Sequence, residues 1–118
     1  SKEEILIAET LLSSTAVYDL LTSNETNEDK LARCKVHQSI GDQLLNFIMM
    51  FMMTFPDLAR FTLAEVQEKC EELVEAGGEM GIDTFCTFLE YGCEIMEHLE
   101  NLKTQMVHSD FKQMNLQG

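Results

Sequence analysis

The longest apolar stretch of the chain is residues 44–55, LLNFIMMFMMTF, interrupted only by Asn46 and Thr54. A bilayer span needs about 20 apolar residues, so this run reads as a core segment. A helix that is apolar on one stripe leaves its other face in water, whereas a helix apolar all round must be covered on every side. In a chain of 118 residues few neighbours exist to provide that cover. The run therefore predicts the central rod of a small bundle, or a surface closed by a second molecule.

The rest of the pattern predicts three more helices. In the first, over residues 2–21, Leu6, Leu12, Ala16 and Leu20, flanked by Ile5, Leu11 and Val17, make a broad apolar face. Glu3 and Glu4 occupy its first turn, where the helix dipole favours acids. A polar connection over residues 22–27 follows. The second helix starts at Thr26 or Asn27, with Thr26 and Asp29 placed as a capping box that has Asp in place of Glu. It runs to Thr54, about 42 Å at 1.5 Å per residue. Leu31, Cys34, Ile40 and Leu44 make its first half amphipathic, and Pro56 stops it.

The third helix has the plainest start. Thr62 and Glu65 form a capping box, and Phe61 ahead of it is placed to staple onto Val66. Leu63, Val66, Cys70 and Leu73 share one face, and Gly77-Gly78 ends the helix. The fourth begins at Asp83 as cap and carries Phe85, Phe88, Leu89, Met96, Leu99 and Met106 at helical spacing as far as residue 107. The expectation is an all-α, single-domain bundle of about four helices over residues 1–107, with the long apolar second helix central. A polar tail over residues 108–118 is expected to fray. Gly41 and Gly92 fall inside predicted helices, where each costs about 1 kcal/mol relative to alanine. A close helix crossing or a bend is expected to offset that cost at one of them at least.

Composition agrees with this picture and adds charge. One proline and six glycines give little punctuation for a strand-and-turn fold. The net charge of −13 repels nucleic-acid phosphates and anionic lipid, which excludes direct nucleic-acid binding and a membrane surface from the expectations. The partners such a field attracts are basic. No basic leader with an apolar core and a small-residue cleavage site opens the sequence, so a cytoplasmic chain with reduced thiols is expected. Cys34, Cys70 and Cys93 fall on predicted apolar faces and Cys86 beside one, as small buried hydrophobes.

Acids are not spread evenly. Between residues 57 and 100 the only lysine or arginine set against them is Lys69 and Arg60. Glu65, Glu68, Glu72 and Glu75 form one stripe of the third helix, and Glu90, Glu94 and Glu97 one stripe of the fourth. Like charges at these spacings repel by a few tenths of a kcal/mol, a pattern that stability alone does not call for. Two readings stay open: a solvated face, and a docking face for a basic surface of a partner.

Other chemistry is thinner. Cys34 and His37 have ligand spacing, and Cys86, Cys93 and His98 are possible recruits, yet the second pair lacks the close spacing of a zinc site. Glu94 and Glu97 lie near His98 at offsets unlike those of a di-iron bundle. A nucleophile needs a base and an orienting group, and Cys34-His37 comes with no oxyanion loop or phosphate cradle. No metal, cofactor or catalytic residue is assigned. Met49, Met50, Phe51 and Met53 are the candidates for self-association as a homodimer, because methionine suits adaptable surfaces as well as cores. The leading expectation is a non-enzymatic acidic interaction module: an adaptor, an assembly chaperone or an inhibitor. The alternative is a ligand- or metal-binding bundle with an apolar cavity.

Overall fold

Both cap threonines take the helix starts that the sequence assigns them. In the computed structural model, which describes the backbone of residues 2–117 and the side chains of residues 2–108, Thr26 Oγ1 accepts the Asp29 N–H at 3.1 Å and Thr62 Oγ1 accepts the Glu65 N–H at 3.1 Å. Each bond satisfies one of the N–H groups that a helix start leaves without an internal partner. The chain is all-helical among the described residues, with six helices: α1 Lys2–Leu12, α2 Thr15–Thr22, α3 Asn27–Val36, α4 Gln38–Thr54, α5 Leu63–Glu75 and α6 Ile82–Gln117.

Six helices replace the expected four because both long N-terminal helices are broken. The first breaks at Ser13-Ser14, where Ser13 Oγ donates to the Thr10 carbonyl at 2.7 Å and the axis turns by 61°. Serine hydroxyls offer the backbone a local alternative to the helical ladder, and three hydroxyl residues stand in a row here. The second breaks at His37. To stay on the stripe of Leu31 and Cys34, apolar side chains are needed near 37, 38 and 41, and the chain supplies His37, Gln38 and Gly41. The apolar pattern resumes out of phase at Ile40 and Leu44, and the bend lets both stripes face inward. α6 also starts earlier than expected: the Phe85 N–H donates to the Gly81 carbonyl at 3.0 Å, so Asp83 is a first-turn acid and not the cap. Its backbone stays helical to Gln117, while the side chains of residues 109–118, and with them most of the expected tail, lie outside the described residues.

α5 ends in a Schellman motif. The Gly78 N–H reaches the Leu73 carbonyl at 2.9 Å and the Gly77 N–H reaches that of Val74 at 3.0 Å. Gly77 has a φ of 73°, a left-handed conformation that side-chain-bearing residues rarely take.

α4 packs against each of the other five helices. Leu44, Phe47, Ile48, Phe51 and Met52 are its buried residues, and they meet Phe85, Phe88, Leu89, Ile95 and Leu99 of α6 in one core that α1 and α2 close with Ala8, Leu11, Val17, Leu20 and Leu21. Phenylalanine and isoleucine are ordinary helix formers that cost only tenths of a kcal/mol each, up to about 0.7. Burial of each such side chain contributes about 1.5–3 kcal/mol, so packing decides the state of this segment. Gly92 lies where α6 crosses α2 and α4: a Cβ there sits 2.9 Å from Leu21 Cδ2 and 3.1 Å from Leu44 Cδ1. Gly41 has no such reason, since its Cβ meets only Cys34 Cβ, at 4.0 Å. Among the described residues, no single helix is long and apolar enough to cross a membrane.

Candidate functional site

Phe61 stands just ahead of the Thr62 cap and is buried. Its ring stacks on that of Tyr91, centroids 4.1 Å apart, which ties the start of α5 to the middle of α6. The stack carries the acids of two helices toward one another. Tyr91 holds its proton above the ordinary phenol value, first because it is partly buried and then because of the negative charge of Glu65, with Glu68 and Glu90 adding to it and Lys69 opposing. Glu65, Glu68 and Glu90 are exposed, so their fields also point into solvent.

The other four acids of the two stripes have separate surroundings. Lys69 lies 3.3 Å from Glu72, an exposed pair worth little on its own. Glu75 is exposed in the last turn of α5. Glu94 is half-buried and occupied: its Oε2 accepts the Arg60 backbone N–H at 2.6 Å and lies 3.5 Å from His98 Nε2. It braces the α4–α5 connection against α6. Glu97 joins Arg60, Cys93, Glu94, His98 and Asn101 around a polar cavity of about 270 Å³. Along the α6 stripe, Glu90 therefore bears on Tyr91, while Glu94 and Glu97 line the cavity next to Arg60.

The self-association residues also divide. Met53 is 72% exposed and Met49 and Met50 are half-buried, but Phe51 is 0% exposed and packs in the core beside Phe55 and His98. Phe51 is thus a core residue in place of the expected surface anchor. Five helices pack on α4 where three were counted from the sequence, because the two breaks add faces.

The cysteines are free thiols, and only Cys34 is buried. Cys70 and Cys86 are half-buried, and Cys93, expected in the core, is exposed beside Gly92. Burial pushes the Cys34 thiol up, away from the thiolate that nucleophilic or metal chemistry needs. His37 stands exposed at the α3–α4 junction. Among the described residues, no three His, Cys, Asp or Glu side chains are grouped so as to hold a metal ion.

A feature that the sequence does not announce is a groove of about 580 Å³ between the α3–α4 elbow and the end of α5. Leu31, Leu44, Leu45, Leu73, Met80 and Phe85 form its apolar floor; Lys35, Asp42 and Glu79 stand among its polar lining, and Gly41 opens onto it. The available signals were the out-of-phase apolar residues on either side of His37 and a helical glycine without a packing reason. Tyr91 was the other omission, a phenol set within the acidic stretch of α6.

No family model matches this chain, and neither a curated protein nor a solved structure matches it.

Proposed function

We propose that the chain is a non-enzymatic interaction module, an adaptor, assembly chaperone or inhibitor, that docks through an acidic face on a basic surface of a partner protein. The observation that carries this reading is that α5, tied to α6 by the Phe61–Tyr91 stack, brings the negative charge of exposed Glu65 and Glu68 to bear on Tyr91 together with that of Glu90. Acids gathered from separate elements with one lysine beside them repel one another, and a cationic partner relieves that repulsion. Net charge of −13 extends the field and speeds encounter with a basic surface. Tyr91 adds an aromatic ring at the centre, the kind of group that interfaces favour beside charge.

The test is capture from a lysate of the source organism at low and high salt, with the captured protein identified and its surface charge examined. Exposed charges are screened beyond about 8 Å at physiological ionic strength, so capture is expected to weaken as salt rises. Capture of a partner with an acidic surface, or capture indifferent to salt, contradicts the proposal.

The homodimer is proposed on a narrower footing, the stripe of Met49, Met50 and Met53 that α4 turns away from Phe51. A second reading, a ligand-binding bundle, is favoured by the groove, whose volume falls within the roughly 300–1,000 Å³ range of small-molecule sites.

A further inference from the structure

We infer that the groove between the α3–α4 elbow and the end of α5 receives the apolar side chains of a cationic amphipathic segment of a partner protein. The inference rests on the docking reading above and gives the partner a shape as well as a charge.

Gly41 points to the groove as built for an occupant. A glycine inside a helix costs about 1 kcal/mol relative to alanine, and such a cost is ordinarily offset by a close crossing. Gly92 shows that offset within this chain. At Gly41 nothing of the chain itself comes closer than Cys34 Cβ at 4.0 Å, and the residue opens onto the groove. The missing side chain therefore makes room for something that is not part of the fold.

The surroundings define what that is. The floor is aliphatic and aromatic, as for an apolar anchor. Asp42 and Glu79 stand among the lining residues against Lys35. Gly77 and Gly78 bring the C-terminal end of α5 into the wall. Apolar floor and two acids against one lysine together fit an amphipathic helix with leucine-like anchors on one stripe and lysine or arginine beside it.

The experiment is fluorescence anisotropy of the full chain with labelled synthetic helical peptides: one of leucine and lysine with a single apolar stripe, one with glutamate for lysine, and one with glutamine for leucine. The leucine–lysine peptide is expected to bind. Gly41→Phe, which fills the groove, and the double reversal Asp42→Lys with Glu79→Lys should each weaken it by roughly tenfold or more, as loss of a central anchor does. Gly41→Ala, which restores helix propensity without filling the groove, should bind like the wild type, and circular dichroism checks that each variant is folded. Undiminished binding by Gly41→Phe overturns the inference, and so does equal binding of the leucine-free or the glutamate peptide. Occupation by an apolar dye with no peptide binding assigns the groove to small molecules; self-association lost in Gly41→Phe with no peptide binding assigns it to a second copy. If Gly41→Phe still binds while reversal of Glu65, Glu68 and Glu90 abolishes binding, the groove falls and the acidic face stands. The opposite pattern keeps the groove and removes the face.

Discussion

Gly92 lies against Leu21: a Cβ on the glycine falls 2.9 Å from Leu21 Cδ2, inside the distance that two carbon atoms tolerate. Leu44 closes the same spot from α4 at 3.1 Å, so α2, α4 and α6 meet there through the absence of one side chain. Gly92→Leu is expected to destabilise the fold by about 1–3 kcal/mol or more through overpacking. Gly41→Ala should instead stabilise it by roughly 0.5–1 kcal/mol, because it gains helix propensity and meets no obstacle. Urea denaturation reads both, and equal midpoints for the two variants contradict this account of the crossing.

The caps give a second pair of expectations. Thr26→Ala and Thr62→Ala each remove a side-chain acceptor from a helix start and should cost about 1 kcal/mol apiece. Serine at either position should restore most of that, since its hydroxyl accepts the same bond. Thermal or denaturant unfolding checks the series, and a Thr62→Ala variant as stable as the wild type shows that the Thr62 bond contributes nothing.

High pH tests the surroundings of Tyr91 and Cys34. Both groups are acids whose folded pKa is raised, Tyr91 chiefly by burial and then by Glu65, Cys34 chiefly by burial. The folded chain thus keeps these protons at a pH where the unfolded chain has lost them. Their contribution is complete below the ordinary values and is lost as pH climbs through the folded ones, so stability should decline from about pH 9 upward. In a Tyr18→Phe background, ultraviolet titration should show the Tyr91 phenol ionising at lower pH in Glu65→Gln/Glu68→Gln than in the parent. No movement in that titration contradicts the placement of the two acids around it.

The apolar run supplies a contrast within one helix. Phe51→Ala should cost about 3–5 kcal/mol as a buried large-to-small change. Met53→Ala, at an exposed site, should stay within about 0.5 kcal/mol. Sedimentation at micromolar concentration separates stability from assembly: the proposed dimer should dissociate in Met53→Glu, and a wild-type monomer removes self-association through this stripe.

Much of the fold was legible where a helix end is fixed by a few adjacent residues. Thr26 with Asp29, Thr62 with Glu65, Gly77-Gly78 and Pro56 all sit where their helices begin or stop. The breaks at Ser13-Ser14 and His37 were not legible, because neither has a proline or a left-handed glycine. The break at His37 follows from a slip in the apolar phase that only a packed core penalises, and the one at Ser13-Ser14 from hydroxyls that compete locally with the helical ladder. The acidic stripes could be read from spacing alone, but their division could not. Glu94 turns to the Arg60 backbone through a contact made across thirty-four positions of sequence. The groove likewise exists only once α3, α4 and α5 are placed together.

Charge reversal on the Tyr91-centred face tests the central claim most directly. Glu65→Lys, Glu68→Lys and Glu90→Lys combined should abolish partner capture while leaving the helical circular dichroism unchanged, because all three side chains are exposed. The same change of net charge placed on the exposed Glu3, Glu9 and Glu28 of α1 and α3 should leave capture largely intact. Capture by the Glu65, Glu68 and Glu90 variant equal to that of the wild type contradicts the account and returns the acidic face to a role in solubility.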